Sequence, residues 1–436
     1  MIFSKNKNST PAQADQSYWG IVKRQFKKNR LAVWSLRIVY VIFIVGVLAD
    51  FLANEKPLYC KLNGNSYFPV FKEYAVDLGL STWPKELLGI DWSNTEFETA
   101  VYPPVPYSPN TTDFNNDQYK RPFEKQDLKS VRWRHWMGTD QIGRDVLSGL
   151  IHGTRIAMLV GIVSMGIASF LGILIGAFAG YYGDEKLQVS IIRIILNLVF
   201  IFFAWFFAFG TRSFVMSDAF SNSFGSFIFQ FLVSLAIFLV IMIIPNVLSM
   251  PLKNVPVLGR KLTIPVDIIV SRIIEIINSI PTLLLILSIC AVAKKPSIML
   301  IMVIIGFTGW TGIAKYIRAE LLKVRSLEYI EAAQSLGFSE WRIMLRHAIP
   351  NSLTSVLITV AFGVASAILV ESSLSFLGIG VQADVMTWGK LLNASREEIS
   401  AWHLAIFPGL AIFITVTVFN LLGEGLTDAM DPRLKQ

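Results

Sequence analysis

The sequence predicts an all-α fold, a polytopic transmembrane helical bundle of about eight spans. Of the 436 residues, 53% are hydrophobic and only 16% are charged, well below the roughly one-quarter of charged residues that is typical of soluble domains. Several apolar stretches are also long enough to cross a hydrocarbon core of about 30 Å. They lie near residues 31–53, 154–181, 191–210, 226–248, 268–293, 297–314, 352–376 and 403–423.

The basic residues predict an orientation for these spans. Lys and Arg beside a span favour the cytoplasmic side, so the basic segment 1–30 is placed inside, the loop 54–153 outside and the loop 315–351 inside. Lys253 agrees with this topology, whereas Lys294 and Lys295 fall outside and disagree. An even number of spans then places both termini in the cytoplasm. The first span is expected to stay as an anchor, because its apolar run exceeds the about 7–15 residues of a signal-peptide core.

Two segments carry more specific expectations. The loop 54–153 is expected to have little regular structure, because residues 101–119 are rich in Pro, Asn and Asp; it either contacts a soluble partner or caps the bundle. Arg193 interrupts the span 191–210, and it is close enough to the span's end for its guanidinium to reach the membrane surface.

No catalytic or cofactor motif stands out. The chain lacks a GxxxxGK[ST] phosphate-binding loop, and its histidines are too scattered for a metal site or an acid–base pair. These are His135, His152, His347 and His403. The sequence therefore predicts a protein without enzymatic activity, cofactor or bound metal. The net charge of +8 is attributed to basic cytoplasmic loops and not to nucleic-acid binding.

Small residues recur every four positions in the second span, at Ala168, Gly172, Gly176 and Gly180. This spacing aligns them on one helix face and lets a neighbouring backbone approach closely. The pattern predicts a helix-packing stripe, whose partner helix is either intramolecular or part of another subunit.

Polar residues inside the later spans are candidates for lining a solute pathway, because lipid cannot satisfy their hydrogen bonds. The candidates are Asn278, Thr308, Thr359, Glu371 and Ser372. A single Thr or Ser in a span more often bonds to its own helix, whereas Glu371 is either a functional contact or an interfacial residue that reaches water.

Residues 326–351, here called the elbow, combine two short amphipathic helices with a glycine between them. Ser326 and Ser339 are predicted to cap the two helices, Gly337 to end the first in the left-handed conformation, and Pro350 to end the second. The predicted apolar stripes are Leu327, Ile330, Ala333 and Leu336 in the first helix, and Trp341, Met344, Leu345 and Ala348 in the second.

The elbow pattern alone allows three functions: a DNA-reading helix-turn-helix, a helix lying on lipid headgroups, or a docking lever for another protein. The DNA-reading alternative conflicts with the position of the elbow, which is close to two spans, because such readers use a soluble dimeric domain.

Several ordered motifs resemble one known family. EAAQSLG (331–337) followed by HAIPN (347–351) resembles the EAA loop of ABC-importer permeases. The "C"-type permeases of the oligopeptide, dipeptide and nickel branch are similar to this chain in four further segments. These are GTDQIGRDVLSGLIHGTR (138–155), GYYG (180–183), ESSLSFLGIGVQ (371–382) and NLLGEGLTDAMDPR (420–433).

The resemblance implies a type I ABC-importer permease in the cytoplasmic (inner) membrane, for di- or oligopeptides, with nickel or another small solute as alternatives. Implied partners are a second homologous permease subunit, two ABC ATPase subunits and an external solute-binding protein. The EAA loop, within 318–351, would couple to the ATPases. Its implied coupling residues are Glu331, Ala332, Ala333, Gly337, His347, Pro350 and Asn351. A stand-alone secondary transporter remains the alternative from another class.

The resemblance also divides the chain and exposes its departures. A first transmembrane helix at 31–53 and a helix at 154–183 precede an inserted segment, 184–265, which adds two spans that family members usually lack. The permease core then covers 266–433. The loop 54–153 is longer than is usual in the family, and VQADVMTWG (381–389) lacks the proline pair that commonly follows VQ.

Overall fold

The computed structural model describes residues 18–222, 224–252, 254, 255, 257–292, 297–379, 382 and 384–430. Lys253, Lys294, Lys295, residues 1–17 and part of the motif 371–389 lie outside these ranges. Within them, seven helices are long and apolar enough to cross a membrane, and a bent helix pair is an eighth candidate. The predicted class, an all-α membrane bundle, is confirmed.

Three helices open the described chain: α1 (Tyr18–Lys28), α2 (Arg30–Val47) and α3 (Ala49–Leu52). Asn29 separates the first two, and its side-chain oxygen accepts a hydrogen bond from the amide of Ala32 at 3.1 Å, which is a standard helix N-cap. α2 is the first candidate span, and its 18 residues cover about 27 Å at 1.5 Å per residue.

Residues 53–145, here called the interhelical domain, are folded, so the expectation of little regular structure in the loop 54–153 is wrong. The regular elements here include β1 (Tyr59–Leu62), β2 (Asn65–Tyr67), α4 (Pro69–Asp77) and β3 (Thr99–Val101). The strands form one antiparallel sheet in the order β2-β1-β3. Cys60, Leu87 and Trp92 form a small buried core beside it. Aromatic and aliphatic residues scattered among the Pro and Asn turns supply this core.

The chain divides into two compact units, one of Met1–Ala177 with Ile274–Gln436 and one of Phe178–Ile273. α5 (Val146–Tyr182) begins in the first unit and ends in the second. The second unit continues with β4 (Gln188–Ser190), α6 (Ile191–Trp205), α7 (Ser213–Asn222), α8 (Phe224–Leu252) and β5 (Lys261–Thr263). The strands pair antiparallel, and Arg193 donates through Nε to Asn246, which satisfies part of that guanidinium.

The helices that follow β5 are α9 (Val266–Asn278), α10 (Thr282–Val292) and α11 (Ile298–Val324). α9 and α10 are bent by 75° relative to each other, so the predicted span at 268–293 corresponds to a bent helix pair and not to one straight helix. Pro281 explains the break, because it has no amide hydrogen to donate and disfavours a helical conformation at the preceding residue.

The remaining helices are α12 (Glu328–Ser335), α13 (Glu340–Ile343), α14 (Ile349–Phe376), α15 (Trp388–Ala394) and α16 (Trp402–Met430). A buried apolar cluster joins α5, α10, α11 and α14 through Val160, Ile286, Ile301 and Leu374. This cluster is part of the core of the first compact unit.

Candidate functional site

The bend of the elbow is a glycine turn with a full set of backbone hydrogen bonds. α12 ends at Ser335, and Gly337 has a φ of +77°. The amide of Phe338 donates to the carbonyl of Ala333 at 3.2 Å, and the amide of Gly337 donates to that of Gln334 at 2.9 Å. This is the Schellman arrangement of a helix end. A Cβ on Gly337 would meet nothing within 4 Å, so only the backbone conformation restricts this position.

The two serines predicted to cap the elbow helices do not do so. The hydroxyl of Ser326 donates backwards to the carbonyl of Lys323 at 2.8 Å, and α12 begins at Glu328 without a side-chain cap. Ser339 occupies the cap position of α13, but its side chain makes no capping hydrogen bond. The Schellman turn at Gly337 and the burial of the inner face therefore define the elbow, rather than its serines.

The second arm of the elbow continues directly into a candidate span, so the predicted stop at Pro350 is wrong. After α13 the chain forms a π-helical turn, Met344–Ala348, and then α14, with Pro350 in its first turn. Proline is tolerated in the first turn of a helix, where its missing amide hydrogen costs little. Glu340–Phe376 is thereby one candidate span of 37 residues, about 55 Å long.

The elbow buries one narrow face and exposes much of its apolar surface. Ile330 and Ile343 are fully buried, but Leu336 and Trp341, which are members of the predicted apolar stripes, are 75% and 52% exposed. The full set of exposed large apolar residues is Leu327, Tyr329, Leu336, Phe338, Trp341 and Leu345. Helices of two or three turns can rest only one side on the bundle. An apolar surface of this size on an otherwise polar segment indicates a docking surface.

The predicted coupling residues lie around this surface. Ala333 is buried, His347 is half-buried, and Glu331, Ala332, Gly337, Pro350 and Asn351 are exposed. The Asn351 amide donates to the Tyr329 hydroxyl at 3.1 Å and to the His347 carbonyl at 2.9 Å, which ties the two arms together. Arg342 lies 5.1 Å from the Phe338 ring centroid. Within the described ranges, the Glu331 carboxylate has no partner and is available to another protein.

Several candidate pathway residues satisfy their hydrogen bonds locally. Thr308 donates to the carbonyls of Ile304 and Ile305, and Thr359 to the carbonyl of Ser355. Such bonds to the preceding helical turn are the ordinary behaviour of a hydroxyl in a span.

Asn278 and Glu371 are held differently. Asn278 accepts a hydrogen bond from the hydroxyl of Thr311 at 3.0 Å, which links α9 to α11. Glu371 is buried and accepts from the hydroxyls of Ser375 at 2.5 Å and Ser372 at 3.4 Å. The Glu371 side chain is therefore enclosed by hydroxyl groups and does not reach water.

The small-residue stripe of α5 faces α11. A Cβ on Gly172 would lie 2.7 Å from the Cβ of Ile313, and one on Gly176 would lie 2.5 Å from the carbonyl oxygen of Ala314. Ala168 of α5 also faces α11, because a Cβ on Gly309 would lie 3.6 Å from the Cβ of Ala168. The partner of these three residues is intramolecular, whereas Gly180, the fourth member, lies in the second compact unit.

Thr417 and Asn420 are recognisable in the sequence as polar residues of a span, and they belong to a longer polar stripe on α16. Thr417, Asn420, Glu424, Thr427 and Asp428 recur at the spacing of one helix face and, with Phe362 and Leu421, line an open cavity of about 490 Å³. Asn420, Glu424, Thr427 and Asp428 are exposed. The i, i+3, i+7 spacing of polar residues in an apolar helix was the available signal.

A buried histidine in the interhelical domain is the other group that spacing alone does not identify. The Nδ1 of His135 lies 2.8 Å from Asp145, its Nε2 lies 3.3 Å from Asp113, and its ring stacks on Tyr107. These carboxylates outweigh the effect of burial and raise the pKa of His135 to about 8. Within the described ranges, no group of three or more His, Cys, Asp or Glu residues could hold a metal ion.

Comparisons with known proteins place this architecture in a family. A family model described as "Binding-protein-dependent transport system inner membrane component" matches residues 257–436. A second, described as "N-terminal TM domain of oligopeptide transport permease C", matches residues 17–67. The first match contains the elbow and the permease core, and the second contains α1 to β2.

Three curated relatives agree with these models. The inner membrane ABC transporter permease protein YejE of Escherichia coli is 26% identical over 96% of this chain and 97% of its own. The glutathione transport system permease protein GsiD of Pectobacterium atrosepticum is 29% identical over 69% and 73%. The dipeptide transport system permease protein DppC of Bacillus subtilis is 28% identical over 69% and 70%. Over residues 17–67 and 257–436 the chain therefore matches the inner membrane permeases of binding-protein-dependent transport systems, and these matches and relatives support a multi-pass permease of the oligopeptide or dipeptide type.

Proposed function

We propose that this chain is the membrane-spanning subunit of an ATP-driven importer for di- or oligopeptides. The names of two relatives, a dipeptide and a glutathione permease, support a peptide or peptide-derived solute. In this proposal the chain pairs with a second, homologous permease subunit as a heterodimer. Two ABC ATPase subunits supply the ATP hydrolysis, and an external solute-binding protein delivers the solute.

The elbow is the proposed docking surface for one ATPase subunit. The observation that carries this proposal is the exposed apolar surface around Leu336, Phe338 and Trp341 on a segment whose other arm is continuous with α14. A protein partner would cover these side chains, and the exposed Glu331 would offer it a charge. Because no break separates α13 from α14, movement of the ATPase would be passed to the span as a rigid displacement.

The proposed orientation follows from this assignment. ATPase subunits act on the cytoplasmic side, so the elbow, the basic N-terminal segment and the C-terminus are placed there. The interhelical domain is then placed on the opposite side, where the solute-binding protein would dock. Fluorescence or protease accessibility of a tag at each terminus in intact cells would test this orientation.

The solute pathway is proposed to include the polar face of α16 together with Asn278 and Thr308. Asn420 and Glu424 are exposed on a helix long enough to span the membrane, and hydrocarbon cannot satisfy an amide or a carboxylate. A water-filled pathway or the second permease subunit would therefore cover this face.

The decisive experiment compares two substitutions at Gly337 in the complete transporter reconstituted in proteoliposomes. Gly337→Val forces a β-branched side chain into a left-handed conformation, at a cost of about 1–2 kcal/mol, so solute uptake driven by ATP should fall by about 5- to 30-fold. Gly337→Asn is the matched control, since asparagine tolerates this conformation, and it should retain most of the uptake.

Three outcomes would contradict the proposal. Equal uptake with Gly337→Val and with Gly337→Asn would show that the geometry of the elbow does not matter for coupling. If the chain is purified in mild detergent and no ATPase subunit is purified with it, the proposed partnership is contradicted. Solute uptake by this chain alone, along an ion gradient, would instead identify a secondary transporter. Uptake of nickel but not of peptides would contradict the proposed solute, whereas the proposal of an ATP-driven importer would stand.

A further inference from the structure

Helix α4 of the interhelical domain and its two flanking residues carry an apolar ridge that is largely exposed. Its members follow one another at intervals of three or four residues, and all are exposed. They are Phe68, Phe71, Tyr74 and Leu78. Two of the charged side chains of α4 are engaged elsewhere: Glu73 pairs with Lys56, and Lys72 donates to Ser81. α4 is therefore an amphipathic helix whose apolar side is largely exposed.

Ring contacts connect this ridge to the end of the first span. The ring centroid of Phe51, in α3, lies 5.1 Å from that of Phe71 and 6.2 Å from that of Tyr74, and the Phe68 ring lies 6.4 Å from Phe71. Phe51 follows Val47, the last residue of α2, by four positions, a rise of about 6 Å along a helix. The ridge is therefore held at the height at which the first span ends.

This height coincides with the boundary of a bilayer. α2 is about 27 Å long, close to the about 30 Å of a hydrocarbon core. Beside its end, Asp50 and Arg155 form an ion pair at 2.7 Å, and the guanidinium also donates to the carbonyl of Gly46 at 3.0 Å. Charged groups are expensive within hydrocarbon, so this ion pair marks the headgroup level.

We propose that α4 is an interfacial helix whose ridge enters the lipid leaflet at the C-terminal end of α2. The exposed side chains of α2 near this end, Phe43, Ile44 and Val47, continue through Phe51 into the ridge, so one lipid-facing surface extends from the span to α4. Aromatic residues favour the headgroup level of a membrane, and amphipathic helices bind there with their apolar side inserted. The interhelical domain is thereby fixed to the membrane surface at a second point, independently of which solute is carried.

The test measures depth with nitroxide labels on the full chain in proteoliposomes of phosphatidylethanolamine and phosphatidylglycerol. Labels are placed on Phe71→Cys and Leu78→Cys, and the matched controls are Asp77→Cys on the flank of the same helix and Phe123→Cys, which is 88% exposed in the same domain. The native Cys60 and Cys290 are buried, and the unsubstituted chain measures their background labelling. Phe71 and Leu78 are 57% and 72% exposed, so their replacement removes little internal packing.

For nitroxide labels at positions 71 and 78, collisions with oxygen, which concentrates in lipid, should be more frequent than collisions with a water-soluble nickel chelate. The order should be reversed at Asp77 and Phe123. A predominance of nickel collisions at Phe71 and Leu78 would overturn the proposal, because the ridge would then face water. Protection of both positions from both reagents would also overturn it, because a protein surface rather than lipid would then cover the ridge.

Discussion

Raising the pH is expected to loosen the interhelical domain around His135. Burial lowers the pKa of this imidazole, but the hydrogen bonds and charges of Asp113 and Asp145 outweigh it and raise the pKa from 6.5 to about 8. This difference corresponds to about 2 kcal/mol, since one pKa unit is about 1.4 kcal/mol. Because the pKa is higher in the folded state, the stabilisation is fully present below pH 6.5 and is lost as the pH rises through about 8.

The assay is hydrogen–deuterium exchange of peptides that cover residues 105–150, corrected for the intrinsic pH dependence of exchange. His135→Gln is the reference, because glutamine keeps a hydrogen-bonding side chain of similar length but cannot acquire the charge. The excess protection of the wild type over this variant should decrease by about 30-fold between about pH 6 and about pH 9. An excess that stays constant over this range would refute the argument that a charged imidazole holds the two carboxylates.

Three further substitutions test the packing and the polar residues of the spans. Gly176→Leu should prevent α5 from approaching the carbonyl of Ala314 and so abolish recovery of monodisperse protein, whereas Gly166→Leu in the same helix should not, since no atom lies within 4 Å of a Cβ there. Glu371→Ala should lower the unfolding temperature more than Glu371→Gln, because alanine leaves buried hydroxyls unpaired at a cost of about 1–3 kcal/mol; equal losses would contradict this. Asn420→Leu should reduce uptake severalfold without changing folding, and unchanged uptake would remove Asn420 from the pathway.

Periodicity and residue type predict the elements whose physics is local. The spans follow from apolar length alone, and Gly337 can be placed in a left-handed turn because few other residues adopt that conformation without strain. The break before Pro281 is also encoded locally, because a proline inside an apolar run interrupts helical hydrogen bonding, although the length of that run alone indicates one span.

Other features depend on contacts that spacing does not encode. The continuity of the helix across Pro350 arises because a π-helical turn precedes it and the buried Met344 and Ala348 hold that turn in place. The fold of the interhelical domain likewise depends on distant residues that meet, such as Cys60 and Trp92. The side of the elbow that is exposed could not be predicted either, because Leu336 and Trp341 satisfy an apolar pattern whether this chain or another covers them.

The continuity of α13 with α14 has a mechanical consequence for the far end of the span. Glu340 and Glu371 are separated by 31 positions along one helical element, which corresponds to about 47 Å. If this element pivots at the elbow, a tilt of about five degrees displaces Glu371 by about 4 Å, which is more than the length of a hydrogen bond. Ser372 and Ser375 lie on the same helix and would move with Glu371, so the whole hydroxyl cluster would shift against α15 and α16. The rotation that causes this shift is too small to disturb the docking surface itself.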